Sequence, residues 1–274
     1  MHNGATKETT ILVDAHVHIY DCFKIHRLLD AAYHNFQSAA TTRANGSEFI
    51  GILMLTESFG YECFSELREM ISGSAQQPGT WQFVSLAEDE SALLARRTNG
   101  ERLIIVSGRQ IVTAERIEVL AVATDLFIRD GLPLVEVLAS INSNGGLAIV
   151  PWGVGKWFGR RGDLIKKILH QFDAQSIFLG DIAGRPSFWP RPAIFRLADF
   201  KGIRILSGSD PLPLATEDAR PGSYGFWIKA TLSLSQPSQE LKQLLLNRDV
   251  AIHPYGSGEN ISRFIRNQLL LRYH

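Results

Sequence analysis

The chain has 274 residues, with 28 Lys+Arg against 28 Asp+Glu, 45% apolar residues, 23 Gly and 11 Pro. That is the composition of a globular protein, and it excludes collagen, coiled coil and a disordered chain. A formal net charge of zero removes the basic footprint of a general nucleic-acid binder, so no nucleic-acid partner is expected.

No run of residues approaches the roughly 18 apolar residues of a membrane span, so no membrane association is expected. Only 2 cysteines, Cys22 and Cys63, occur in a chain long enough to bury its own core, which predicts a cytoplasmic protein without a disulfide framework. The opening MHNGATKETT lacks an apolar secretory region. Residues 1–10 are expected to be a disordered tail and 11–274 a single domain, because no repeat, linker or composition shift divides them.

In chain order, short Ile/Val/Leu-rich runs predict strands at 11–18, 49–56, 81–87, 102–106, 117–123, 146–150, 176–179 and 203–207. Helical periodicity predicts helices at 24–40, 62–72, 134–142, 163–172 and 193–200, then two closing helices at 238–247 and 259–272. Apolar strands alternating with crossover helices imply a mainly parallel α/β sheet, either a βα barrel or a doubly wound sheet.

The strongest chemical signal is DAHVHIYD at 14–21, closing the first predicted strand. Side chains two apart on a strand share a face, so His16 and His18 can offer imidazoles to one metal ion. Two core histidines satisfied by hydrogen bonds are the bland alternative. The second signal is GSD at 208–210, where a late strand delivers a carboxylate to the rim on which α/β proteins build their sites. Asp210 could complete a set with the two histidines, or it could cap a helix ahead of Pro211.

The segment 152–192 holds Lys156, Arg160, Arg161, Lys166, Lys167, Arg185 and Arg191 against Asp163, Asp173 and Asp181. This excess of positive charge, with Trp152, Trp157 and Trp189 alongside, suggests a pocket for a small anionic or phosphorylated molecule. Closing one end of the fold, or a contact in a homo-oligomer, explains the same side chains. His253 is expected to be a turn residue, and Cys22 a packing residue without a base partner.

The HxH strand, Thr56-Glu57-Ser58, Gly108-Arg109-Gln110-Ile111, the segment Gly145 to Gly153 and Gly208 to Pro213 occur in an order that resembles the PHP (polymerase and histidinol phosphatase) family. The resemblance covers residues 11 to about 228. It implies a TIM-like (β/α)7 barrel with extra C-terminal helices, divalent ions at the strand ends and phosphoester hydrolysis. The same resemblance exposes departures: Ser58, Gln110, Trp152-Gly153 and Leu212 stand where metal-binding side chains are usual.

A neutral Gln110 cannot bridge two cations as a carboxylate does. What the resemblance leaves is a reduced site of His16, His18 and Asp210, with Glu57 or Asp181 as a further ligand, enough for one zinc, manganese or iron ion. Asp210 would orient or deprotonate water. Arg109, the inward-facing candidate, would neutralise developing charge, with Arg185 or Lys156 as alternatives. Gln110, Trp152, Lys156, Trp157, Asp181 and Arg185 are the expected substrate contacts. The HxH and GSD pair also resembles the amidohydrolase superfamily. A third reading is a barrel that has lost catalysis and serves as a binding or scaffold protein.

Overall fold

The computed structural model describes residues 8–43, 48–73, 77–153 and 155–273. The elements are β1 (Thr9–Val17), α1 (Ile25–Arg43), β2 (Phe49–Leu55), α2 (Cys63–Glu69), β3 (Gln82–Leu86), β4 (Asp89–Arg96) and β5 (Arg102–Val106). There follow β6 (Gly108–Val112), β7 (Glu118–Val122), α3 (Leu134–Ser143), β8 (Leu147–Pro151), α4 (Gly159–Gln171), β9 (Phe178–Ile182) and α5 (Ala193–Phe200). The chain closes with β10 (Ile205–Gly208), β11 (Gly225–Ala230), α6 (Pro237–Leu246), β12 (His253–Tyr255) and α7 (Ile261–Tyr273).

The expected (β/α)7 barrel is not what forms. The strands divide into a 7-stranded sheet, β12-β11-β1-β2-β5-β4-β3, and a 5-stranded sheet, β10-β9-β8-β7-β6. The physical reason lies between residues 82 and 122, where β3 to β7 follow one another with no helix among them. Without a crossover helix, consecutive strands pair as antiparallel neighbours, as β3/β4, β4/β5 and β6/β7 do; β7/β8 is antiparallel as well, although α3 lies between those two strands. Parallel pairing survives in β1/β2, β2/β5, β8/β9 and β9/β10. The remaining antiparallel pairs, β1/β11 and β11/β12, add two strands beyond the predicted set, β11 and β12, at the edge of the first sheet.

Three apolar clusters give the layers. Between the sheets lie Ile11, Val13, Ile52 and Ile104 from the first and Leu120, Ile149, Phe178 and Leu206 from the second, with Leu241 and Leu245 of α6 among them. The other face of the first sheet buries Leu12, Leu53 and Ile105 against Leu28, Ala32 and Phe36 of α1. The other face of the second buries Ile111, Val150 and Leu179 against α3, α4 and α5. Alternation along each strand therefore separates an inner from an outer face on both sheets.

The sheets meet at two seams. At one, Asp210 N–H donates to the His16 carbonyl at 2.8 Å, and Gly208 lies so close to β1 that a Cβ there would stand 2.4 Å from His16 N. At the other, Glu57 N–H donates to Gly108 O at 3.1 Å and Gln110 N–H to Glu57 O at 2.8 Å. These bonds join the strand ends without making one continuous ladder.

Of the expected tail, residues 1–7 lie outside the described residues, while Thr9 and Thr10 belong to β1 and align with Ala230 and Lys229 of β11. Among the described residues, no helix is long and apolar enough to cross a membrane.

Candidate metal centre

His16 and His18 stand at the end of β1, where the pairing with β2 shifts register between Asp14 and Val17. The two-residue spacing sets both rings on one face. Their Nε2 atoms face each other at 3.0 Å, and Asp210 Oδ1 lies 3.5 Å from His16 Nε2 and 3.6 Å from His18 Nε2. One ligand atom from each of the three residues falls within 4.8 Å of the other two. Three side chains expected from the sequence to share a cation are thus brought together.

Each is held by its backbone. Asp210 has φ 47°, a left-handed conformation uncommon for a non-glycine residue, fixed by its N–H on the His16 carbonyl. Asp14, fully buried beneath the cluster, accepts from the N–H groups of Ser209 (2.8 Å), Gly222 (2.8 Å) and His16 (3.3 Å). One carboxylate therefore ties the histidine strand to the segment that carries Asp210. Burial outweighs these three bonds and raises the Asp14 carboxyl to about 7.

The imidazoles are poor proton acceptors. Burial pushes His16 down to about 4, and burial together with the neighbouring His16 pushes His18 down to about 3. Burial also raises the Asp210 carboxyl, with His18, Lys156 and Arg220 opposing the rise. At neutral pH the cluster therefore offers two neutral imidazoles, each with one nitrogen lone pair to present to a cation. The His18 ring hydrogen-bonds to the Thr56 backbone, and such a bond fixes ring orientation. His16 Nδ1 is buried without a partner among the described residues. Two nitrogens and one carboxylate oxygen at this separation could hold a metal ion.

Around the three ligands stand groups of mixed origin. Gln110 pairs with Leu120 across β6 and β7, so its side chain shares the inner face with that core residue and comes within hydrogen-bonding range of His16. Tyr20 stacks on His18 with ring centroids 5.5 Å apart. Lys156 pairs with Glu118, and both act electrostatically on His16. Neither Glu118 nor Tyr20 was singled out from the sequence. A charged residue opening the buried strand 118–122 is the signal that could have found Glu118; Tyr20 lies inside the DAHVHIYD motif.

Other expected site residues lie elsewhere. Arg109 pairs with Ala121 on the outer face of β6, and its guanidinium stands 5.1 Å from the Phe127 ring centroid. Residue alternation, which places Gln110 inward, necessarily turns Arg109 out. Glu57 accepts from the Phe64 N–H and lines a cavity of about 310 Å3 with Arg109, Arg68 and Phe127, away from the histidines. Asp181 forms a two-point ion pair with Arg185 (both contacts 2.7 Å) and accepts from Tyr224 Oη at 2.8 Å.

Trp152 and Trp157 are buried in the outer core of the second sheet, where Trp157 Nε1 donates to Pro151 O at 3.0 Å. The basic segment is also largely neutralised: Lys156–Glu118, Lys166–Asp163, Arg185–Asp181 and Arg191–Asp199 are ion pairs. His253 is in β12 and stacks on Trp227 at 4.2 Å.

Fold and site together define a two-sheet α/β protein with a His-His-Asp cluster at one seam, its two histidines buried and its aspartate half-buried. No protein-family model and no curated protein matches the chain. Among solved structures it is similar to the crystal structure of PsfC from Pseudomonas syringae PB-5123, with a TM-score of 0.56 and 14% identity, over 97% of this chain and 98% of that one. At that identity the likeness shows the fold alone.

Proposed function

We propose that this protein is a metal-dependent hydrolase of a small anionic substrate, a phosphoesterase with a reduced, single-ion site. The observation that carries the reading is the convergence of His16 Nε2, His18 Nε2 and Asp210 Oδ1 within 4.8 Å at the edge of the inter-sheet core. His16, His18 and Asp210 would hold one zinc, manganese or iron ion, which would supply Lewis acidity for the hydrolysis.

The chain's own residues do the rest. Asp210, with 22% of its side chain exposed, meets solvent where the histidines do not, so its free carboxylate oxygen orients the attacking water and takes its proton. Lys156 supplies the positive charge for an anionic substrate. Gln110 can hydrogen-bond a substrate oxygen while remaining uncharged. Tyr20 covers His18 and limits the approach of bulk water. The motif order that resembles the PHP family favours phosphoester over amide chemistry.

A non-catalytic binding protein is the second reading. It is favoured by Trp152, which is 3% exposed and packed in the core instead of offering a surface to substrate. A phosphoesterase panel with added manganese or zinc separates the two. Turnover in the wild type that falls at least about 100-fold in D210N and H16A supports the hydrolase. Metal uptake without turnover on any phosphoester supports the binder.

A further inference from the structure

Glu118 and Lys156 form an ion pair whose two charges both act on His16, and the fold places them asymmetrically. Glu118 opens β7 on the inner face, in alternation with Leu120 and Val122 of the inter-sheet core. It pairs with Val112, two residues from Gln110, so Glu118 and Gln110 are diagonal neighbours on one face. Lys156 arrives from the loop after β8 and is more open, 39% exposed at the side chain against 18% for Glu118. Its stem folds back over Gly153, where a Cβ would stand 2.7 Å from Lys156 Cδ. The absence of a side chain at Gly153 is therefore what admits the lysine to this position.

The pair is a contradiction as a static device. An ammonium beside a cation site repels the cation, and a carboxylate capable of attracting it is spent on the ammonium. An incoming anion resolves this, because it competes with Glu118 for Lys156. We propose that the Glu118–Lys156 pair couples the two ligands: a phosphate-bearing substrate draws Lys156 to itself and releases Glu118 as a further carboxylate for the ion held by His16, His18 and Asp210. This deepens the metal-site reading above and rests on it. By linkage, the anion tightens the metal and the metal tightens the anion by the same factor.

The test titrates Co2+ into metal-depleted full-length protein, reading affinity and visible absorption, with and without inorganic phosphate. Inorganic phosphate is expected to tighten Co2+ binding by the wild type about tenfold. K156M should bind Co2+ about tenfold tighter without phosphate, and with a spectrum altered by an added oxygen ligand. K156M/E118Q should lose both the gain and the spectral change. G153A, which displaces the lysine stem, should behave partway towards K156M.

Equal Co2+ affinities and spectra in wild type, K156M and the double variant would overturn the coupling while leaving the metal site standing. A K156M gain that persists in the double variant would also overturn it. No uptake by any of these proteins, all with native circular dichroism, would overturn the metal-site reading as well.

Discussion

Three backbone N–H groups, those of His16, Ser209 and Gly222, end on the carboxylate of Asp14, so one side chain determines where two distant parts of the chain meet. An unmet buried donor costs about 1–3 kcal/mol. D14A is therefore expected to lose about 3 kcal/mol or more in urea unfolding, and to lose metal affinity although Asp14 is not itself a ligand. The depressed imidazoles add a pH signature. Between about pH 4 and 6.5 the unfolded chain binds protons on His16 and His18 that the folded, metal-free protein does not.

Stability contributed by these two residues consequently rises with pH across that window. The buried carboxyl groups act in the opposite sense, so the expected outcome is a difference. Wild type should gain stability relative to H16Q/H18Q as pH climbs from about 4 to 6.5, in metal-free unfolding titrations. A constant difference would contradict the burial assigned to the rings. At this scale the sequence was informative. The HxH spacing and the placement of Asp210 after an apolar run identified the cluster, because strand periodicity is local. Glu57 and Arg109 misled because the face each occupies depends on pairing with a distant strand.

At the scale of elements, β1 and β10 carry the site, and Gly208 sets their separation. A methyl group there would meet His16 N at 2.4 Å, and backbone cannot yield as a flexible side chain does. G208A is expected to cost more than about 2 kcal/mol and to weaken metal binding with it, as measured by denaturant unfolding and metal titration. Strands with continuous apolar runs, such as β2, β5 and β8, were legible in the sequence.

The elements that were not legible share a physical reason. The eight residues of β4, DESALLAR, bury only part of their length and mix charge with good helix formers. The five of β6, GRQIV, place Arg and Gln on half-buried positions. The three of β12 are too few to show alternation. Their strand character comes from neighbours supplied by other parts of the chain.

For the whole molecule, missing those strands turned a two-sheet arrangement into an expected barrel. The apolar content required for the layers was apparent, but the order of strands was not, since antiparallel insertion of β3, β4, β6 and β7 depends on long-range pairing. Trp152 illustrates the consequence. Read as a pocket residue, it instead packs edge-on against Trp189 with centroids 6.2 Å apart in the core beneath α3 to α5. W152A should cost about 3–5 kcal/mol of stability, which unfolding measurements would detect, while Asp210 and both histidines remain competent to bind metal.

The most direct measurement is the metal content of chelator-treated, dialysed protein after exposure to zinc or manganese. The account predicts about one ion retained per wild-type chain, and essentially none in H16A/D210A that remains folded by circular dichroism. Wild-type protein that retains no ion, or a double variant that retains as much as the wild type, would contradict it.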